Sequence, residues 1–430
     1  MKYRHKNVKL IYDPLWGLID ITRFLPMIDT PEFQALGFKY QLGVTSQLFP
    51  AATHTRKQHS FGAFKRAQDL SENWLKKGFI KKEDARLIEA YALWHDIGHG
   101  PFSHVVEAVT REFWKRDHDE NGALIINRLK GAVEAADIDF KKFKEFFDHK
   151  NPLYLAVHDK NLGAEKLDYL SRDAYYTIGE RPGVEYLAKH TYFIDGEIMI
   201  DEKAIENAKA LQEFYIKMYK VVYLRKNSAI AQRMVQRMSH ELVQHEHLSE
   251  EEFWGLTDFG LLGLLENTTR DSTRKQMKRF MQRDLPRTAV ALKLEHFAEI
   301  ERRKDKAQAI FGIRESQMEK LLRSETLSSP SKIRKVEKEI ESIAKLPQKS
   351  ILIVPSSSSQ RFKAKDIKIF IPGGKKAKLS DYFAEHFHAM EEEGKSYSTI
   401  RVCTYTEHRE KLSNKKTAEA VKEYLLSLIS

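Results

Sequence analysis

Between residues 94 and 104 the chain reads WHDIGHGPFSH, and this run constrains the fold more than any other. An apolar pattern at helical spacing, DARLIEAYALWHDI over 84–97, leads straight into it. Gly98 and the Gly100-Pro101 pair then oppose continuation of the helix. His95 and Asp96 are left near a helix end, His99 follows one turn later, and His104 lies beyond the break. A lone histidine on a helix is ordinarily structural. Three histidines and an aspartate within eleven residues instead point to metal ligation, because imidazole nitrogen beside carboxylate oxygen suits divalent Mn, Fe, Co or Ni. H-D-I-G-H shares the frame of the zincin H-E-x-x-H, but aspartate is one methylene shorter than the glutamate base and the glycines interrupt the helix, so that reading is weak.

Two further segments can supply partners. HTRKQHSFG places His54, Arg56 and His59 at the start of a helix predicted over 60–78. GAEKLDYLSRDAYY puts Glu165, Asp168, Tyr169, Arg172 and Asp173 on a helix over 164–178, where i, i+3 and i+4 positions share a face. Helical periodicity also covers 120–130, 204–245 and 286–323, while strands are rare before residue 340 apart from a hairpin at 192–201 around Asp195-Gly196. After about residue 324 the Ser/Pro-rich breaks SETLSSPSK and VPSSSSQRF bracket a charged helix, and KSILIVP, DIKIFIP and TIRVCTY read as short strands before a closing helix. The chain is therefore expected to be mainly α, with a helical body over 1–325 and a C-terminal α+β module over 326–430.

Composition bounds the rest. With 42% hydrophobic residues, the 430-residue chain has enough apolar material for a sizeable core. A single cysteine, Cys403, excludes an internal disulfide or a thiolate zinc cluster and suits a reducing compartment. No stretch is apolar enough to span a bilayer and the N-terminus lacks a secretion-signal pattern, so a cytoplasmic protein without membrane contact is expected. Lys and Arg outnumber Asp and Glu by 72 to 61, and a net charge of +11 attracts polyanions such as nucleotides or nucleic acid. The basic stretches TRKQMKRFMQRDLPR (273–287) and ERRKDKAQ (301–308) fit nucleic acid, but more commonly such runs are solvated helical faces.

In chain order, IYDPLWGLIDI, IDTPEFQALGFKYQLG, FPAATHTRKQHSFGAF, ALWHDIGHGPFSH, AEKLDYLSRDAYYTIG and VVYLRKNSAIAQRM together resemble the HD-domain phosphohydrolase superfamily, in its deoxynucleoside triphosphate triphosphohydrolase (dNTPase) branch. The resemblance implies an all-helical HD core at about 50–180, a divalent metal (Mn, Mg, Fe, Co or Ni), a nucleotide substrate and a homo-oligomer. It implies metal ligands at His59, His95, Asp96 and Glu165, catalytic roles for His104 and His118 with Glu107 orienting them, and phosphate contacts from Arg56, His99, Lys166 and Tyr169. Gln41 and Leu42 match sugar-reading positions, and Asp173 and Tyr223 match positions near sugar and base. Two departures stand out. Glu165 replaces the family's aspartate, lengthening the ligand arm, so the alternatives are Asp168 one turn on or no fourth protein carboxylate. FQALG replaces the family's FQRLR, removing two arginines that help an activating nucleotide bind, so such activation is expected to be absent or differently built. The residues alone indicate metal-assisted phosphoester or phosphoanhydride hydrolysis; the resemblance narrows this to release of deoxynucleoside and tripolyphosphate from a deoxynucleoside triphosphate. Alternatives are an HD enzyme acting on another nucleotide or single-stranded nucleic acid, or a degenerate HD protein that binds without turnover.

Overall fold

The computed structural model describes residues 8–302, 307–356 and 366–429. The fold is mainly α, with a small α+β part toward the C-terminus. Its central helix Arg56–Lys76 starts where it does because Thr55 and Gln58 form a reciprocal capping box: the Gln58 backbone N–H donates to Thr55 Oγ1 at 3.3 Å, and the Thr55 N–H donates to Gln58 Oε1 at 2.8 Å. This start places Arg56 and His59 on neighbouring positions of the first turn. Helices Lys82–Trp94 and Ala164–Ile178 pack on either side, around the fully buried Trp74, Trp94, Tyr91, Phe143 and Phe146.

Gly62 explains how closely two of these helices approach. A Cβ at that position would lie 1.8 Å from Asp168 Oδ1 and 2.3 Å from Arg172 Nη2. Gly98 does the same for the turn after Trp94, since a Cβ there would meet the His118 carbonyl at 2.0 Å. Helices His104–Trp114 and His118–Arg128 can therefore fold back against the His95–His99 turn.

Among the described residues, three sheets flank this core. Leu10–Asp13 and Gly17–Asp20 form an antiparallel hairpin. The expected hairpin at 192–201 is present as Thr191–Ile194 and Glu197–Asp201, turning through Asp195 and Gly196 at positive φ. It is extended by Lys368–Ile371, parallel to Glu197–Asp201, and by Lys375–Lys378. The remaining sheet runs Ala309–Ile313, Arg287–Leu294, Thr399–Thr404, Ile351–Ser356.

That last sheet corrects two expectations. The stretch 286–323, read as helical, opens with the strand Arg287–Leu294 and contains a second, Ala309–Ile313, before the helix Glu315–Arg323. RTAVALKL is buried on both faces in mid-sheet, so it lacks the alternation that marks a half-exposed strand. Because two strands precede residue 325, a boundary there cuts through the sheet rather than ahead of it. The long helical stretch 204–245 is also divided, into Ile205–Met218, a π-helical turn Tyr219–Tyr223, and Lys226–Glu246. The basic run 273–287 is largely the helix Asp271–Met281; residues 303–306 of ERRKDKAQ and 357–362 of VPSSSSQRF lie outside the described residues. Among the described residues no helix is long and apolar enough to cross a membrane.

Glu89, on the helix that delivers His95 and Asp96, has its carboxyl pushed up to about 7 by burial, against the pull of Arg23 and a hydrogen bond from Ser71. The folded protein thus holds this proton more tightly than the unfolded chain. Stability contributed by that proton is present below the usual 4.5 and is lost as pH rises through about 7. Glu89→Gln should leave the denaturation midpoint unchanged at pH 4 and add roughly 1–3 kcal/mol at pH 8. Equal effects at both pH values in chemical unfolding would contradict this.

Candidate metal and phosphate site

The centre is a pair of buried imidazoles. His59 Nε2 and His95 Nε2 face each other at 3.2 Å, with the Asp96 carboxylate 3.4 Å from His95 and 3.9 Å from His59. The other nitrogen of each ring is already committed. His95 Nδ1 donates to the Ala92 carbonyl at 2.8 Å, and a carbonyl can only accept. His59 Nδ1 donates to Asp168 Oδ2 at 2.8 Å. Both Nε2 lone pairs therefore point into one small space beside a carboxylate, and only a proton or a metal ion between them relieves the repulsion. Burial alone would lower His59, but the hydrogen bond and charge of Asp168, with Asp96 and Glu165 behind, raise it. The same negative charges favour a divalent cation. His59, His95 and Asp96 thus fit a metal in donor type, orientation and charge.

Asp168, the alternative ligand, is spoken for. Its oxygens also accept from Arg172 Nε at 3.0 Å, Arg172 Nη2 at 2.9 Å and Trp16 Nε1 at 2.5 Å. Burial disfavours its charge, yet Arg172 and His59 hold it well below the usual carboxylate range. It orients His59 from behind rather than reaching the shared space. Glu165 lines the cleft beside His95 and Asp96, but its Oε2 pairs with His158 Nδ1 at 2.7 Å instead of closing on the imidazole pair. Burial would raise Glu165; His158 takes it down to about 2. The expected fourth ligand is at the site with its longer arm on a histidine.

A second cluster faces the first across a cleft of about 570 Å³. Glu107 Oε1 accepts from His104 Nδ1 at 3.0 Å and from His118 Nδ1. The His118 ring stacks on His99 with centroids 4.1 Å apart and planes 8° from parallel. Burial opposes charge on His118, but Glu107 raises its affinity for a proton. His99 is held neutral by burial and by Arg56, and its Nε2 lies 3.2 Å from Asp96. Arg56 bridges the clusters: Nη1 is 2.5 Å from Asp96 Oδ2 and Nε donates to Ser103 Oγ.

Another wall of the cleft carries Gln41, Leu42, Tyr169, Asp173 and Tyr223. Asp173 is fixed from both sides, by Tyr223 Oη at 2.7 Å and His54 Nε2 at 2.8 Å. Gln41 Oε1 is a buried acceptor without a partner among the described residues. Lys166, expected on phosphate, is not in this wall. Its Nζ donates to the Lys160 carbonyl at 2.7 Å and sits 3.8 Å from the Tyr215 ring centre. The cause is helical phase: Glu165, Tyr169 and Asp173, four apart, present one face to the cleft, and Lys166 is turned about 100° from it.

Sequence reasoning missed His158, Ser103, Lys39 and Asp258. His158 had a signal, a second His-Asp pair at 158–159 shortly before Glu165. Ser103 lies inside the 94–104 run, where a serine carries no ligand signal; Lys39 and Asp258 come from segments distant from it in sequence, and nothing local marks them.

An HD domain model matches residues 56–166 and an HD associated region model matches 184–315. A "deoxynucleoside triphosphate triphosphohydrolase SAMHD1 homolog" of Dictyostelium discoideum is 28% identical over 308 residues, covering 65% of this chain and 60% of that protein. A putative HD domain-containing protein of Acanthamoeba polyphaga mimivirus is 33% identical over 203 residues, 40% of this chain and 44% of its own. The chain thus spans only about half the length of these relatives. Among solved structures, a phosphohydrolase from Bacteroides thetaiotaomicron superposes with a TM-score of 0.70 over 92% of this chain and 99% of that one, at 21% identity, which supports the fold.

Asp168→Asn keeps the size of the side chain but weakens the hold on His59 Nδ1. It should lower metal affinity by roughly 10–100-fold in a Mn titration while the helical circular dichroism is retained. Unchanged affinity would contradict the orienting role.

Proposed function

We propose that this chain, which belongs to the HD-domain phosphohydrolase superfamily, is a metal-dependent hydrolase that cleaves deoxynucleoside triphosphates to deoxynucleoside and tripolyphosphate. The observation that carries the reading is the cleft itself, with the His59–His95–Asp96 donor set on one side and a Glu107-linked histidine pair on the other. A divalent cation held by His59, His95 and Asp96, with Glu165 beside them, would supply Lewis acidity at a phosphate oxygen and a more acidic bound water.

The chain's own groups account for the remaining needs of the reaction. Arg56 brings positive charge and a planar donor fork to the phosphate end. His104 has Nδ1 tied to Glu107, leaving Nε2 to accept a proton from the attacking water. His118, with its raised proton affinity, gives a proton to the leaving O5′. Water oxygen bonds to the α-phosphorus, the P–O5′ bond breaks, and the nucleoside leaves with the His118 proton. Attack at this phosphorus matches the activity named for the Dictyostelium relative. On the other wall Gln41 and Leu42 meet the sugar, Leu42 offering a ribose 2′-hydroxyl no partner, while Tyr223 and Asp173 form a rigid polar edge toward the base.

Purified protein with Mn or Mg and a panel of deoxy- and ribonucleoside triphosphates is the test. Deoxynucleoside and tripolyphosphate should appear in equal amounts, ribonucleotides should react at least ~10-fold more slowly, and Asp96→Asn should lose about a thousandfold or more in kcat. Release of orthophosphate or pyrophosphate, or no turnover with any metal, would contradict the proposal.

A further inference from the structure

We infer that Asp258, which lies in the HD-associated region and outside the lining of the cleft, is a positioning residue that sets the spacing between the cleft's two walls. It is the first residue of the helix Asp258–Asn267, whose N-cap is Thr257, and it is 1% exposed. Oδ2 accepts from the Tyr40 backbone N–H at 2.7 Å and Oδ1 from the Phe102 backbone N–H at 2.6 Å. Tyr40 immediately precedes Gln41 and Leu42; Phe102 immediately precedes Ser103 and His104. One carboxylate therefore fixes the start of the sugar wall and the start of the histidine wall.

The attachment at Phe102 needs holding. Phe102 and Ser103 each have φ of 51°, a conformation that costs on the order of 1–3 kcal/mol for non-glycine residues unless the surroundings impose it. Ser103 in turn accepts from Arg56, so relaxation at Phe102 would pass directly to the phosphate end. The surroundings supply more than Asp258. Lys39 Nζ donates to the His99 carbonyl, and Trp254 lies over Gly100, where a Cβ would be 3.0 Å from its ring. The Phe102 ring stands 3.7 Å from where a Cβ on Gly43 would be, so the walls also touch here by packing. Among the described residues, Asp258 is the side chain whose one rigid carboxylate accepts from the backbone of each wall. Asparagine at this position has one acceptor oxygen and could keep one bond of the two.

The inference rests on the proposed hydrolase reading for its kinetic consequence but not for its geometry, and the test separates them. In metal-loaded wild type, Asp258→Asn and Asp258→Ala, amide hydrogen exchange is read at Tyr40 and Phe102, together with kcat, KM and the deoxy-to-ribo preference. Protection at one or both amides should fall at least ~10-fold in the variants, with the core helices unaffected. kcat should fall by roughly 30–100-fold in Asp258→Ala and less in Asp258→Asn. The deoxy-to-ribo preference should narrow, while metal stoichiometry is unchanged. Should Asp258→Ala fail to fold, Asp258→Asn still reads every quantity. Unchanged protection at both amides overturns the clamp. So does lost protection with kcat and sugar preference intact. A wild type inert toward deoxynucleoside triphosphates would instead refute the proposed activity, and amide protection would then decide the clamp alone.

Discussion

Two imidazole nitrogens 3.2 Å apart, each with its partner nitrogen already donating elsewhere, cannot rest in a protein interior without a positive charge between them. Much of the surrounding architecture serves that arrangement. The capping box at Thr55 fixes the start of the helix that carries His59. Gly62 lets the Ala164–Ile178 helix approach until Asp168 meets His59. Arg172, Asp13 and Trp16 then hold Asp168 in place, with Asp13 Oδ2 2.9 Å from Arg172 Nη2. The N-terminal hairpin is thereby tied to the metal centre through a chain of charged hydrogen bonds three residues long.

The same economy governs the opposing cluster. Glu107 shares one oxygen between two histidines, and burial disfavouring its charge is outweighed by them, so its carboxyl sits far below the usual range. A shared acceptor fixes both rings' tautomers at once; His104 Nε2 faces the cleft side of the pair, while His118 Nε2 lies 3.3 Å from Asp119 Oδ1. His99 links this cluster to Asp96, stacking on His118 while its Nε2 approaches the carboxylate. The two halves of the site are thus coupled through His99 and Arg56, which explains why WHDIGHGPFSH packs so many ionisable groups into one turn.

What was legible in the sequence follows from what is local. His95, Asp96 and His99 lie within one turn, and the glycines and proline that end the helix are visible in the letters. Thirteen of the fifteen residues singled out as site candidates line the cleft, and His59 meets it through His95; Lys166 is the one turned elsewhere, because helical phase separates neighbours by about 100°. Asp168 was readable as a carboxylate near the site, but its role was not, since Trp16 reaches it from the N-terminal hairpin and Asp13 acts on it only through Arg172. The strand Arg287–Leu294 was not legible for a related reason. Its partners are Thr399–Thr404 and Ala309–Ile313, and an apolar run buried on both faces carries no periodicity to distinguish it from a helix.

The central claim is that the His59–His95 pair is a metal centre, and X-ray absorption on protein loaded with one equivalent of Mn or Fe tests it most directly. The account predicts a first shell containing two imidazole nitrogens together with oxygen donors, falling to one imidazole in His59→Ala. An all-oxygen shell, or an ion lost on simple gel filtration, would contradict it.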